Sequence, residues 1–263
     1  MRFISLASGS KGNGYLVQAG DVTALVDAGL SGREMERRIQ QAGLLASRIN
    51  LLLLTHEHSD HLNSAGLLSR RFKLPVYGTA GTLSTPCGRL KPVREATERV
   101  EELPAGETLT IGPLSITPFS ISHDAADPVG FVFAANGHRV VLAADLGCVT
   151  RLVAQRLAGA SAVILESNHC PEMLRHSHYP LWLQRRIAGR FGHLSNADAA
   201  GLVRDVHHVG LRYLLLAHLS ENNNTPRLAY EATRATLEEL GATTDLRVAR
   251  QGQIGAWIDL DEG

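Results

Sequence analysis

Short apolar runs separated by glycine-rich turns fill the first third of the chain, and this pattern predicts strands. The predicted strands here are residues 2–7, 15–19, 22–27, 49–54 and 75–77. The run INLLLL at 49–54 predicts a strand that is covered on both faces. A helix is predicted at 32–42, behind a Ser-x-x-Glu capping box, and a second helix near 63–72. The segment 79–105 predicts only a broken helix and loop, because prolines and a glycine interrupt it.

Strand patterns return from residue 108, and after residue 145 strands alternate with helices. The predicted strands are residues 108–111, 114–121, 130–135, 139–145, 162–166, 212–217, 246–249 and 254–259. The predicted helices are residues 150–158, 180–190, 196–209 and 226–240. Asn136 and Gly137 predict a two-residue hairpin turn. Each half is strands followed by helices, which predicts an α/β fold with two packed sheets and outer helices, as one domain over residues 1–263.

Composition limits the kinds of substrate and the cellular compartment that are expected for such a fold. The chain has 263 residues, 44% of them hydrophobic, which is ample material for a core. Lys plus Arg equals Asp plus Glu at 26 each, so a polyanionic substrate would have to be held by local groups. The three cysteines are widely spaced and predict a reduced, cytoplasmic setting. The opening MRFISLASGS is neither a signal peptide nor a membrane span, so no membrane association is expected.

The segment THEHSDH, residues 55–61, places four ligand-type side chains directly behind a predicted buried strand. These are His56, His58, Asp60 and His61. Two histidines two residues apart in extended chain point to the same side, so they can grip one cation while the next pair reaches a second. Neutral imidazole and carboxylate are ligands that a divalent ion such as zinc prefers. A polar surface turn is the alternative, but the density of ligands favours metal binding.

Four clustered ligands cannot complete two metal sites, so further ligands are expected at other strand ends. His123, Asp145 and His218 each follow an apolar strand directly. A capped strand end would explain any one of them alone. The three together, beside the histidine cluster, predict metal ligation at the open ends of the strands.

THEHSDH combined with these three residues resembles the metallo-β-lactamase superfamily over essentially the whole chain. That resemblance implies a four-layer αβ/βα sandwich and two divalent metal ions, zinc or manganese. It implies one metal held by His56, His58 and His123, and a second held by Asp60, His61 and His218, with Asp145 bridging both. The segment LVDAG is similar to the family's early strand-ending aspartate, so Asp27 is expected to orient the histidine loop. An ordinary turn residue is an equal alternative for Asp27.

The second half resembles the phosphodiesterase branch that includes ribonuclease Z. Glu166 ends a strand in AVILESNHC, and His193 precedes a helix in FGHLSN. The resemblance implies that His193 donates a proton near the leaving group and that Glu166 orients it. A surface histidine before a helix cap is the alternative for His193. The segments SLASGSKGNGYLV, ESNH, GHLSN and AHLSENNNTP are more closely similar to the YycJ/WalJ-like proteins, which implies 5′-to-3′ exonuclease action on DNA, with RNA also plausible.

The implied reaction uses two cations roughly 3.5–4 Å apart that share a hydroxide, which attacks phosphorus in line. His193, held by Glu166, would donate to the departing oxygen, and Asp60 counts as catalytic as well as a ligand. His169 is expected near the pocket, in a loop that departs from the family because Cys170 follows it where an acidic residue is expected. The spacing after Asp145 leaves no room for the extra domain of larger nucleases in this superfamily.

Further residues are candidates for contacts with substrate phosphate. The glycine-rich first loop can form an anion-binding nest, and the candidates are Ser8, Ser10, Lys11, Asn13, Ser195, Ser220, Asn222 and Asn223. An ordinary hairpin turn is the alternative for the first loop. Arg185, Arg186 and Arg190 have helical spacing and could line a groove for a polyanion, but a solvated helix face is the commoner reason for such a run.

Two other functions stay open at this point. A small-molecule hydrolase, either a cyclic phosphodiesterase or a thioesterase, is mildly favoured by the zero net charge. A non-catalytic binding protein is disfavoured, because a decayed site should have lost at least one ligand. The sequence leaves open the working metal, the choice between DNA and RNA, and the oligomeric state, for which a dimer is one option.

Overall fold

Two β-sheets of seven strands each make up the computed structural model, which describes residues 1–88, 90–97 and 99–261. The first sheet contains β1 (Arg2–Ala7), β2 (Gly14–Ala19), β3 (Val22–Val26), β4 (Leu51–Leu53), β5 (Val76–Gly78) and β6 (Val100–Glu102). The second contains β7 (Leu109–Ile111), β8 (Leu114–Ser120), β9 (Val129–Ala135), β10 (His138–Ala143), β11 (Ala162–Glu166), β12 (Tyr213–Ala217) and β13 (Asp245–Val248). The last strand, β14 (Ile258–Asp259), returns to the first sheet and pairs with β1.

Both sheets are mixed, and their strand orders mirror one another. The first runs β14-β1-β2-β3-β4-β5-β6, and the second runs β13-β12-β11-β10-β9-β8-β7. Strands β1 to β3 and β7 to β10 are antiparallel hairpin-type neighbours, whereas β3 to β6 and β10 to β13 pair in parallel. Parallel neighbours bring their carboxyl ends to the same edge, and open α/β sheets bind ligands at that edge.

Helices cover the outer face of each sheet. The helices are α1 (Gly32–Gln41), α2 (Ser59–Leu62), α3 (Ala65–Phe72), α4 (Ala80–Ser84), α5 (Val93–Ala96), α6 (Arg151–Leu157), α7 (Pro171–Arg175), α8 (Leu181–Ile187), α9 (Asn196–Val206) and α10 (Pro226–Glu239). The Ser31 hydroxyl accepts the Glu34 backbone N–H at 3.4 Å, as the capping box predicted. One apolar cluster joins α1 and α3 to the first sheet, and another joins α6, α9 and α10 to the second.

The main core lies between the two sheets. Phe3 and Tyr15 from the first sheet share one buried cluster with Phe131 and Phe133 from β9. Strand β4 shows the layering most clearly, because Leu51 and Leu53 belong to this central cluster while Leu52 and Leu54 belong to the outer cluster with the helices. The predicted four-layer αβ/βα sandwich with two mixed sheets is therefore confirmed, including the strand that was expected to be covered on both faces.

The structure differs from the predicted elements in the middle of the chain. The segment expected to be broken helix and loop contains α4 and α5 but ends in β6, which pairs in parallel with β5. Helices α2 and α7 were also missed. The Asn136–Gly137 hairpin is present, with positive φ at both residues, as its turn type requires. In the part of the chain that the structure describes, no helix has the length and apolar character needed to cross a membrane.

Candidate metal centre and active site

Three strand ends position the site with backbone that non-glycine residues seldom adopt. Asp27 follows β3, Asp145 follows β10 and His218 follows β12, and their φ angles are 59°, 57° and 54°. Left-handed conformations of this kind cost energy and are typical of functional sites. From these turns the Asp27 side chain contacts His61, and the Asp145 and His218 side chains approach one another.

His56, His58 and His123 form the first cluster. One nitrogen from each lies within 4.8 Å of the others, a spacing that a shared cation can bridge. The His123 Nδ1–H donates to the Gly192 carbonyl at 3.0 Å, which leaves its Nε2 lone pair facing His58 Nδ1 at 3.4 Å. His56 is fully buried, and burial lowers its pKa well below the usual value. Burial also lowers the pKa of His123, so the neutral forms of His56 and His123 are favoured, and the three rings converge as metal ligands do.

Asp60, His61 and His218 form the second cluster, again with ligand atoms within 4.8 Å of one another. Both imidazoles are fixed from behind by carboxylates. The His61 Nδ1–H donates to Asp27 Oδ2 at 2.8 Å, and the His218 Nδ1–H donates to Glu166 Oε1 at 2.9 Å. Each Nε2 atom lies 3.6 Å from Asp60 Oδ2. A carboxylate behind each histidine sets the ring orientation that metal binding needs.

Asp145 lies between the two clusters. Its Oδ2 atom is 3.1 Å from His61 Nε2, while its Oδ1 atom is 3.3 Å from His218 Nε2 and 3.8 Å from His123 Nε2. Both oxygens therefore face imidazole nitrogens whose opposite nitrogens already donate elsewhere. Acceptor atoms this close require a proton or a cation between them.

The donor set fits divalent metal ions. His56 Nε2 and His218 Nε2 are buried and have no hydrogen-bond partner among the residues that the structure describes. Burial opposes charge on His218, yet Asp145, Asp60 and Glu166 raise its pKa to about 10. Burial likewise opposes charge on His61, and Asp145 and Asp27 raise its pKa well above the usual value. The carboxylates thus stabilise positive charge between the two clusters. Either protons on the imidazoles or two cations can supply that charge.

Glu166 connects His218 of the second ligand cluster to His193. Its carboxylate is fully buried, and Oε1 accepts from Nδ1 of both His193 and His218, at 2.8 and 2.9 Å. Its Oε2 accepts the backbone N–H groups of Leu146 and Leu194, at 2.6 and 3.0 Å. Burial alone would raise the pKa of Glu166, but His193 and His218 outweigh it and hold that pKa at about 2.

Of the imidazoles around the centre, His193 and His58 are the partly exposed ones. Its side chain is 22% exposed, and its ring stacks on His218 with centroids 5.2 Å apart. Burial works against charge on the ring, but the Glu166 carboxylate raises the pKa of His193 above the usual value. With Nδ1 committed to Glu166, the other ring nitrogen is free to act on a bound group. This is the arrangement of a proton donor oriented by an acid.

Thr55, which the sequence reasoning missed, ties the histidine loop to Asp27. Its backbone N–H donates to Asp27 Oδ1 at 2.9 Å, and its hydroxyl donates to Oδ2 at 2.9 Å. The same hydroxyl lies 3.0 Å from His56 Nδ1 and 3.2 Å from His61 Nδ1. Its position directly before the His cluster was the only signal available. The expectation that Asp27 orients the loop accords with these contacts and stays a prediction.

Of the candidates for phosphate contact in the first loop, two are buried and two are exposed. Ser8 is buried, hydrogen-bonds Tyr15 at 2.8 Å and accepts the His218 backbone N–H at 2.7 Å. Asn13 is buried, and its amide lies 3.0 Å from His61 Nε2. Ser10 and Lys11 are exposed, and Lys11 Nζ pairs with Glu221 at 2.6 Å. Internal contacts thus weigh against phosphate roles for Ser8 and Asn13, while Ser10 and Lys11 face solvent.

The later candidates lie around the N-termini of α9 and α10. Ser195 caps α9 by accepting the Asp198 N–H at 3.1 Å. Ser220 accepts the Asn223 N–H at 3.2 Å, and the Asn222 amide donates to the Tyr179 hydroxyl at 2.7 Å. Each has a local structural partner, and their phosphate roles stay predictions.

His169 lies beside the site, in the loop after β11. It is buried, and burial lowers its pKa below the usual value. Its carbonyl accepts the Asn196 N–H at 2.9 Å, which joins the loop to α9. The neighbouring Asn168, which the sequence reasoning missed, donates to the His218 carbonyl at 2.8 Å. An asparagine before His169 carried no spacing signal, because this contact depends on two distant loops meeting.

Sequence comparisons agree with this geometry. The profile described as Beta-lactamase superfamily domain matches residues 23–219. The chain is 38% identical over 241 residues to exodeoxyribonuclease YycJ of Bacillus anthracis, and the match covers 92% of this chain and 90% of the relative. It is 32% identical over 252 residues to exodeoxyribonuclease WalJ of Streptococcus pneumoniae, covering 94% of this chain and 93% of that one.

Solved structures are similar over the whole chain. YhfI of Bacillus subtilis, a metallo-β-lactamase fold protein, has a TM-score of 0.71 at 18% identity, covering 97% of this chain and 98% of that one. Zn(2+)-bound PqqB of Methylobacterium extorquens has a TM-score of 0.71 at 22% identity, with coverage of 99% and 100%. At these identities the likeness shows the fold alone. The predicted fold, family and hydrolase class are confirmed: the chain belongs to the metallo-β-lactamase superfamily, in the branch of the YycJ and WalJ exodeoxyribonucleases.

Proposed function

We propose that the protein is a metal-dependent phosphodiesterase that acts as a 5′-to-3′ exonuclease on DNA, with RNA as a second substrate. The observation that carries the proposal is the pairing of two ligand clusters, joined by Asp145, with a separate His193–Glu166 pair. His193 Nδ1 lies 3.7 Å from Asp145 Oδ1, so the proton donor and the bridging carboxylate adjoin. The names of the two curated relatives supply the polymer substrate.

The roles of the ligands follow from the two clusters. We assign one cation to His56, His58 and His123, and a second to Asp60, His61 and His218, with Asp145 serving both. Two divalent ions, zinc or manganese, supply an activated water and positive charge for the phosphoryl oxygens when they are bound. Asp27 and Glu166 hold His61 and His218 from behind, so that the nitrogen that faces the centre keeps its lone pair.

His193 serves the leaving group. Its Nδ1–H is committed to Glu166 at 2.8 Å, and the Glu166 carboxylate raises the pKa of His193 above the usual value, which favours the protonated ring. A protonated imidazole at the edge of the centre can donate to the oxygen that departs from phosphorus. Glu166 stays ionised during this step, because its pKa is about 2 and two backbone N–H groups also donate to it.

A small-molecule hydrolase is the second candidate function. The observation in its favour is the zero formal net charge, which provides no overall attraction for a polyanion. The same two clusters would serve a cyclic phosphodiester or a thioester. The substrate, rather than the centre, distinguishes the two candidates.

The test compares substrates on the metal-loaded protein. We expect zinc- or manganese-loaded protein to release nucleotides from the 5′ end of oligonucleotides, assayed as single and double strands with 5′-phosphate or 5′-hydroxyl ends. Bis(p-nitrophenyl) phosphate and a thioester are assayed in parallel, and His56→Ala serves as the metal-site control. Cleavage of the small diester or the thioester with every oligonucleotide intact would favour the small-molecule hydrolase and reject the exonuclease.

A further inference from the structure

We propose that one surface beside the centre binds a single strand of nucleic acid, with arginines on its phosphates and aromatic rings on its bases. This surface, which we call the arginine–aromatic face, consists of Arg175, Trp182, Arg185, Arg190 and Phe191. The inference rests on the proposed nuclease function and names the form of its substrate. It concerns α7, α8 and the loop that leads from α8 to His193.

Two large aromatic side chains on this face are exposed to solvent. Trp182 on α8 is 66% exposed and Phe191 is 62% exposed. Large exposed apolar side chains concentrated in one short segment are typical of a binding surface. Unpaired bases stack on such rings, and the contact tolerates any sequence because every base has a flat face. The face therefore suits an enzyme that moves along a strand.

The same segment concentrates positive charge. Residues 171–191 contain four arginines and one glutamate, a formal charge of +3 in a chain whose net charge is zero. Arg186 pairs with Asp124 at 2.5 Å. The side chains of Arg175, Arg185 and Arg190 are exposed and form no hydrogen bond or ion pair with any residue that the structure describes. They are free to meet phosphates, which is the local attraction that a neutral protein needs.

One part of the face lines a groove that extends to His169, in the loop after β11. Arg175 from α7 and Arg185 from α8 line this groove together with His169. His169 is 3% exposed, and among the described residues its Nδ1 atom has no hydrogen-bond partner. The preceding residue, Asn168, donates to the carbonyl of His218 at 2.8 Å. A phosphate held between the two arginines would thus lie beside the loop that supports the second metal cluster.

The other end of the face is fixed to the first metal cluster. The Phe191 carbonyl accepts the Asp124 backbone N–H at 3.0 Å, and the next carbonyl, that of Gly192, accepts from His123 Nδ1 at 3.0 Å. Arg186 adds its ion pair to Asp124. Hydrogen bonds to backbone carbonyls thus join the face to the His123 loop. A nucleic-acid strand that lies on the face is therefore held at a set distance from His193.

A single strand explains the face better than the two alternatives. In a duplex the bases stack on one another, so rings on a short helix cannot reach their faces. A second copy of this chain would bring one +3 segment against another across a twofold axis, which is repulsive unless each arginine finds a carboxylate. A flexible polyanion with exposed bases satisfies the charges and the rings at once.

The two tryptophans of the chain allow a direct test. Trp257 packs partly buried, with its indole N–H donating to the Ala42 carbonyl at 2.9 Å, whereas Trp182 is exposed. We expect a single-stranded 12-nucleotide DNA with phosphorothioate linkages, which resist hydrolysis, to quench the tryptophan fluorescence of the metal-loaded protein. Trp182→Phe should abolish the quenching. Trp182→Ala and Phe191→Ala should each weaken binding roughly 5- to 150-fold, measured by anisotropy of a labelled strand.

The arginines are tested by salt dependence. The double variant Arg175→Ala, Arg185→Ala should bind at least tenfold more weakly at low salt, and the slope of log K against log salt should fall by about 1.4. The matched control is Arg33→Ala with Arg48→Ala, which removes the same charge from exposed positions on the outer side of the first sheet. Thermal unfolding and metal content of every variant establish that the fold and centre are intact.

The outcomes separate this inference from the proposed function. Equal affinity and slope in the arginine variants and their control, or quenching that persists in Trp182→Phe, would overturn the face as the strand site. So would tighter binding of a duplex, or a dimer that dissociates when Trp182 is replaced while strand affinity holds. If the unaltered protein binds the strand on this face but cleaves no phosphodiester, the function fails and the face stands.

Discussion

At the scale of single residues, Glu166 is where the two parts of the site meet. One of its oxygens accepts from both His193 and His218, and the other accepts two backbone N–H groups. All its acceptor positions are therefore committed inside the protein. A change at Glu166 would disturb the proposed metal ligand His218 and the proposed proton donor His193 together, so Glu166 variants cannot separate these roles.

His193 is the residue at which the roles can be separated. We expect His193→Ala to keep both metals but lose rate by roughly 10²–10⁴-fold, because general acid catalysis contributes that much. His56→Ala should lose metal as well as rate, since Nε2 of His56 is buried with nothing else in the described residues to pair with. Metal content by elemental analysis and kcat on a small diester check both variants. A His193→Ala protein with less than two metals would contradict the division.

Spacing predicted the ligands in THEHSDH, position at strand ends predicted His123, Asp145 and His218, and resemblance to known phosphodiesterases supplied Glu166 and His193. Contacts between distant loops could not be predicted in any of these ways. His56, His58 and His61 lie close together in the chain, so their pattern can be recognised in the sequence. Thr55 and Asn168 act through hydrogen bonds to residues that only the fold brings near. Hydroxyl and amide side chains are common in loops, so their presence there predicted no particular partner.

At the scale of elements, two of those that pattern missed, β6 and α7, lack a long apolar face. Strand β6 has three residues, of which two are exposed glutamates, so it lacks the alternation that marks a strand. It lies at the sheet edge, where charged residues are common because they discourage pairing with other chains. Helix α7 has five residues and a single buried one, Leu174, which is too short a stretch to show helical periodicity.

The packing of the histidine loop on the first sheet predicts a sharp effect at Gly29. A Cβ atom there would lie 1.7 Å from the Asp60 carbonyl oxygen, so Gly29→Ala must move α2 and the ligands it carries. We expect about 3 kcal/mol lower free energy of unfolding and weaker metal binding. Gly201→Ala on α9 has open space and should gain about 0.5–1 kcal/mol through helix propensity.

Denaturant unfolding and metal titration of the two glycine variants decide the matter. A Gly29→Ala protein with the stability and metal affinity of the original would show that the close approach to Asp60 does not position the loop. The Gly201→Ala protein controls for the general effect of adding a methyl group.

At the scale of the whole molecule, the ligands come from both sheets. THEHSDH follows β4 of the first sheet, whereas Asp145 and His218 follow β10 and β12 of the second. A metal held by these groups links the two sheets at the edge where the central core ends. Pattern predicted two packed sheets, but the mirrored strand orders emerged only from the structure, because pairing between strands far apart in sequence leaves no local signal.

Metal removal should therefore lower the stability of the whole fold. At free metal 100 times the dissociation constant, binding to the folded state adds about 2.7 kcal/mol to the free energy of unfolding. We expect a chelator to lower Tm in one cooperative transition, and added zinc or manganese to restore it. His56→Ala should respond less, since it lacks a ligand. If metal analysis shows complete removal and the Tm does not change, the idea that the metals link the two sheets is contradicted.

The contact between Ser8 and His218 spans 210 positions in sequence, with the His218 backbone N–H donating to the Ser8 hydroxyl at 2.7 Å. A ribosome adds residues in order, so THEHSDH leaves it long before β12 exists. Until then the early histidines can bind a cation only with an incomplete set of ligands. On the proposed assignment of ligands, a complete metal site can therefore form only after β12 has left the ribosome, and an ion bound earlier need not be the ion that the folded protein retains.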